Sequence, residues 1–146
     1  MIYRKFCNSI CVVALAFLFV SGFVGCAASY SASSISDNLI KSGYTVEEGE
    51  KISFSDETDT SQLKGLQKIY LVSKGNNADK EVACILVFDS IANADSGNLS
   101  DVNLTYLGDF AKDKCGDSKK DNISMGRYNN VVFAGYNAIK SAAGLN

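Results

Sequence analysis

The run Glu81–Phe88, EVACILVF, constrains this chain more than any other stretch. Val82 to Phe88 are all apolar, and the run is rich in β-branched residues, so it reads as a strand. Successive side chains of a strand point to opposite faces. A strand that is apolar on both faces has to be covered on both, which places it centrally in a sheet. The run Leu66–Ser73, with Ile69, Tyr70, Leu71 and Val72, precedes it. Between them lies KGNNADK, a Gly/Asn turn cluster, so the two runs predict a β-hairpin.

The remaining pattern supplies the other layers. A helix is predicted from Ser34 or Ser36, with Ile35, Leu39 and Ile40 on one face and Gly43 as its stop. Tyr44-Thr45-Val46 reads as a short strand. Residues 47–62 read as a solvated acidic loop with a weak alternating patch over Lys51–Phe54. A helix over Leu99–Lys114 carries the stripe Leu99, Val102, Tyr106, Phe110 and Ala111. Strands at Ile123–Arg127 and Val131–Ala134 flank Tyr128-Asn129-Asn130, where Asn tolerates a tight turn. Tyr136–Ala143 predicts a short helix with Ala138, Ile139 and Ala142 inward. The order implies an α+β domain: a mostly antiparallel sheet of about four to five strands, two main helices and a short C-terminal helix.

The N-terminal segment carries the clearest address. Arg4 and Lys5 precede an uncharged stretch from Ile10 to Ala28, and the apolar core breaks at Ser21-Gly22 before Phe23-Val24-Gly25-Cys26. A positive start, an apolar core and small residues before a cut site describe an export signal. Val24-Gly25-Cys26 resembles the lipobox of bacterial lipoproteins, with Phe23 where Leu is usual. The resemblance covers this segment alone. It implies cleavage before Cys26 and a diacylglyceryl group on the Cys26 sulfur. Two acyl chains hold a protein at a membrane stably where one does not. The implied organisation is a signal peptide at 1–25, a lipid-anchored flexible leash at 26–33, and a single α+β domain at 34–146.

Without residues 1–25 the chain keeps 12 bases against 16 acids, a net charge of −4. That argues against nucleic acid as a partner, which needs a basic footprint. Residues 37–59 hold seven acids with Lys41 and Lys51, so most of the negative charge sits before the central hairpin. The chain has no His, Trp or Pro, which rules out a Ser-His-Asp or Cys-His site and any His-ligated metal. Ser61-Gln62-Leu63-Lys64, Ser36-Asp37-Asn38 and Lys41-Ser42-Gly43 echo three signatures of penicillin-recognising serine enzymes, but in the wrong order and too close together. Asp56–Asp59 and Asp95–Asp101 supply oxygen ligands without the spacing of a calcium loop. No catalytic, cofactor-binding or metal-binding residue is assigned, and no enzyme activity is expected.

Cys84 and Cys115 are the thiols left besides Cys26 in the mature chain. In an exported protein they can pair; two buried thiols suit the apolar run around Cys84 better. Arg127, Tyr128, Asn129 and Asn130 at the hairpin tip are the candidate partner-binding residues, with Tyr128 expected to be exposed. The expected function is a non-enzymatic binding or accessory module for a protein or envelope component, tethered through Cys26. It would sit on a cell membrane or outer membrane, facing away from the cytoplasm. The alternatives are an exported enzyme inhibitor using the tip and, behind it, a secreted enzyme or a glycoprotein modified at the sequons Asn98, Asn103 or Asn122.

Overall fold

The computed structural model describes residues 28–146. In chain order these form α1 (Ala32–Lys41), β1 (Thr45–Glu48), β2 (Leu66–Lys74), β3 (Glu81–Phe88), α2 (Asp101–Lys114), β4 (Ile123–Tyr128), β5 (Val131–Tyr136) and α3 (Asn137–Ala142). The segment 1–25, read above as a signal peptide, and Cys26 lie outside the described residues. The five strands make one antiparallel sheet in the order β1-β2-β3-β5-β4. The molecule is α+β, as the sequence predicts.

The central strand is β3, paired with β2 on one side and β5 on the other. Every residue from Val82 to Phe88 is buried. Its alternation divides the interior in two. Ala83, Ile85 and Val87 join Val72, Val131 and Phe133 beneath Ile35 and Leu39 of α1 and Ile139 of α3. Cys84, Leu86 and Phe88 join Val132 and Ala134 beneath Leu104 and Leu107 of α2. A helical layer therefore covers each face of the sheet.

Local chemistry sets the helix boundaries. The Ser31 hydroxyl accepts from the Ser34 amide, so α1 begins at Ala32 rather than at Ser34 or Ser36. Ser100 accepts from the Asn103 amide and starts α2. Lys112 and Lys114 lie in the last turn of α2, where cations suit the helix dipole.

Three expectations are corrected. The buried face of α2 is Asn103, Leu104, Leu107, Gly108 and Ala111, while Val102 is 68% exposed. The stripe proposed from sequence was rotated, because Leu99 lies before the helix and packs from the preceding loop. The 47–62 segment is not merely a solvated loop. Ile52 and Phe54 are buried on the α2 side, a bridge joins Ser53 to Asp59, and the Phe54 ring meets Tyr106 edge-on at 5.8 Å. In α3, Ala138 faces outward while Ile139 is buried.

The sheet has two distinct ends. At the C-terminal end of β3, the Phe88 amide donates to Asn130 O and the Asp89 amide to Gly65 O. This gathers the β4–β5 turn, the start of β2 and the 89–98 connection. At the opposite end, the Gly116 amide donates to Lys80 O and Lys74 Nζ to Ser42 O.

The β3–β5 contact is unusually close at Gly135, which faces Ala83. A Cβ on Gly135 would lie 2.3 Å from the Ala83 Cβ. Gly135→Ala is predicted to cost about 1–3 kcal/mol through overpacking. Gly97, with no atom within 4 Å of an added Cβ, should tolerate Ala within about 0.5 kcal/mol. Urea unfolding of both variants checks this; equal losses would refute the packing argument.

Candidate functional site

The β4–β5 turn is the first place to look, since Arg127–Asn130 were the candidate partner-binding residues. Asn129 takes a positive φ of 51°, the conformation that Asn tolerates in a two-residue turn. Asn130 is buried and acts as a clamp. Its Oδ1 accepts from the Tyr30 amide at 2.6 Å. Its Nδ2 donates to Tyr30 O and to Phe88 O, both at 2.9 Å. Asn129 Nδ2 donates to Ala28 O at 2.9 Å. Two adjacent amides thus fasten the chain segment 28–30 to the turn.

Arg127 is also committed inside the chain. Nη2 donates to Leu99 O at 2.7 Å, and Nη1 pairs with Asp101 at 2.8 Å. Tyr128 is half-buried, not exposed as expected, and Lys140 Nζ lies 5.3 Å from the centre of its ring. Only Asn129 of the four is exposed. The leash expected at 26–33 is shortened accordingly: Ala28 and Tyr30 are hydrogen-bonded to the turn, and Ala32 is already helical.

A second feature is a cleft of about 250 Å³ between the 56–63 loop and the 96–103 segment. Of the two oxygen-rich stretches that the sequence set aside, Asp56 and Asp59 line this cleft opposite Ser96, Asn98 and Ser100, while Asp95 and Asp101 lie outside it. Asp56 accepts from both the hydroxyl and the amide of Thr58 and, at 3.4 Å, from Asn103 Nδ2. Asp59 accepts from the Ser61 amide at 2.8 Å and from its hydroxyl, and pairs with Lys51 at 3.2 Å. The Thr58 and Ser61 hydrogen bonds hold the respective carboxyls below the usual carboxylate range. Asn103 is only 7% exposed, and its Oδ1 has no partner. Acceptors dominate this wall. Among the described residues, no group of three or more His, Cys, Asp or Glu is placed to hold a metal ion.

Asn98 braces the cleft from below. Its Oδ1 accepts from the Lys64 amide, and its Nδ2 donates to Lys64 O and Asn93 O. Nothing local in the sequence marks Asn98 or Asn130 as braces, since the stretches of chain they fasten, at Lys64 and Tyr30, lie 34 and 100 residues away. Of the three sequons, Asn103 is buried and Asn98 half-buried, leaving Asn122 exposed.

Cys84 and Cys115 are both free and buried. Burial pushes the Cys84 thiol up to about 12. Burial also raises Cys115, whose Sγ lies 3.6 Å from Val82 O. Near the same end, Tyr44 donates to Glu81 at 2.7 Å. Burial first, and then that bond to Glu81, push the phenol above its ordinary value. Raised thiols in apolar surroundings are inert rather than nucleophilic.

In comparisons with family models, curated proteins and solved structures, no match to the chain is found.

The buried thiols give an alkaline prediction. In the unfolded chain Cys84 loses its proton near pH 9, whereas the folded chain keeps it until about 12. The native state therefore binds more protons in that window, and stability falls as pH rises through it, by up to about 1.4 kcal/mol per pH unit for one group. Urea midpoints at pH 7 and pH 10.5 should show the drop, and Cys84→Ala should reduce it. The clamp gives another. Asn130→Ala strands backbone groups of Tyr30 and Phe88 and should cost about 2–3 kcal/mol, with faster amide exchange at Tyr30 than in the parent protein.

Proposed function

We propose that this chain is a lipid-anchored bacterial envelope protein whose domain serves as a non-enzymatic binding module on the outer face of a membrane. The single observation that carries the reading is Val24-Gly25-Cys26, placed directly after a charged start and an apolar core. The fastening of Ala28 and Tyr30, two and four positions after Cys26 in the sequence, suits it, because a chain anchored there would hold its domain close to a surface.

The recognition element is the cleft between 56–63 and 96–103. Its wall offers two ionised carboxylates, Asp56 and Asp59, together with the unpartnered, nine-tenths buried Asn103 Oδ1. A surplus of acceptors suits a ligand group bearing N–H donors, such as a basic segment of an envelope protein. Both thiols are buried with raised pKa values, and neither carboxylate in the cleft is raised toward neutrality. Those are not the conditions for general acid or nucleophilic catalysis. The inhibitor alternative leaned on the Arg127–Asn130 tip, and no observation favours it over the cleft.

The tether is tested by the intact mass of membrane-extracted protein beside a Cys26→Ala control. The expected result is a chain starting at residue 26 with a lipid-sized increment that the control lacks; an unlipidated chain would sink the reading. The cleft is tested by titrating an oligo-lysine peptide into the isotopically labelled protein. Amide resonances of 56–62 and 96–103 should shift while those of 117–122 stay fixed, and Asp56→Asn should weaken the shifts. Unmoved cleft resonances would remove the cleft as the recognition element.

A further inference from the structure

The 28–30 segment is fixed against the β4–β5 turn. Ala28 O is held by Asn129, and the Tyr30 amide and carbonyl are held by Asn130. The Tyr30 hydroxyl in turn accepts from the Asn146 amide at 3.3 Å. From Ala28 back to Cys26 there are two residue steps, which span at most about 7 Å when fully extended. A lipid on Cys26 would therefore join the chain within about that distance of Ala28, which is itself held at the β4–β5 turn, so the bilayer would meet the domain at this end.

The surface waiting there is apolar at one point. Ile91, in the turn after β3, is 41% exposed, and Ala92 beside it is exposed. Ile91, Ala92 and Asn129 line one shallow hollow of about 300 Å³ together with Ala94, Asp95 and Arg127. Among the described residues, the large apolar side chains left exposed are Ile40, Ile91, Val102 and Met125, and of these four Ile91 shares a hollow with Asn129, which grips Ala28. The charges nearby do not favour an anionic surface. Arg127 is paired with Asp101, Asp89 is bonded by Asn93, and Asp95 faces the hollow.

We propose that the domain is seated on the lipid bilayer at the C-terminal end of β3, with Ile91 and Ala92 inserted at the headgroup boundary next to the tether. The seat is apolar, so it does not depend on anionic lipid. It fixes the orientation of the domain: the 89–95 turn meets the membrane, and the end carrying Gly116 and Lys119 points away. This inference rests on the lipid-anchor reading.

The absence of Trp makes the test direct. Full-length protein carrying Ile91→Trp, Ala92→Trp or Ile40→Trp is extracted with its lipid and reconstituted into phosphatidylcholine vesicles with brominated acyl chains. Side chains at an interface sit about 5–10 Å deep, so Trp at 91 and 92 should lose about twofold or more of its emission. Trp at position 40, at the far end of α1, should keep its emission. Adding phosphatidylglycerol should leave the pattern unchanged. Intact mass of the same samples separates two failures. Lipid present with unquenched Trp at 91 and 92, or equal quenching at 40, overturns the seat alone. No lipid on Cys26 overturns the anchor and the seat with it.

Discussion

Seven adjacent apolar side chains on β3 have to leave water on two faces at once. Each fully buried Val, Leu, Ile or Phe contributes roughly 1.5–3 kcal/mol, so an uncovered face would forfeit several such contributions. Strand pairing fills both edges of β3, and α1 with α3 on one side and α2 on the other fill its faces. Other elements are positioned by what they cover. The 47–62 segment lands on the α2 side because Ile52 and Phe54 join that interior, with Phe54 packed edge-on against Tyr106 of α2. Its Asp56 and Asp59 are held in turns by hydrogen bonds from Thr58 and Ser61.

Polar side chains then decide how the ends are tied. Asn130 and Asn98 use their amides as two-sided braces, each accepting from and donating to the backbone of a distant segment. A buried amide left unpaired costs more than a made hydrogen bond returns, so these braces specify one docking of the 28–30 segment and one closure of the 64–98 contact. The same fastening removes slack between the domain and the proposed lipid site. An anchor with little slack constrains orientation as well as location.

Much of the architecture was legible. Apolar runs located β2 and β3, Gly and Asn located the turns, and alternating order implied α+β. What misled was the reading of faces. Leu99 was counted with the helix it precedes, which rotated the stripe and put Val102 inside. Tyr128 was expected outside because it stands at a turn, yet the turn is folded against 28–30 and Lys140. The cleft was invisible for a different reason. Asp56–Asp59 and Asp95–Asp101 each fail as a local motif, and only folding sets Asp56 and Asp59 opposite Ser96, Asn98, Ser100 and Asn103 across one cleft.

By itself, the sequence determined the doubly buried strand, its hairpin partner, the α+β class and the candidate address ending at Cys26. Each of these rests on local periodicity or on contiguous residues, which a linear text contains. The tertiary structure alone decided which helix covers which face, which asparagines brace distant backbone, where the cleft opens, and that the 28–30 segment is fastened to the β4–β5 turn. These depend on contacts between residues far apart in the chain, and their energies do not exist until the sheet has formed.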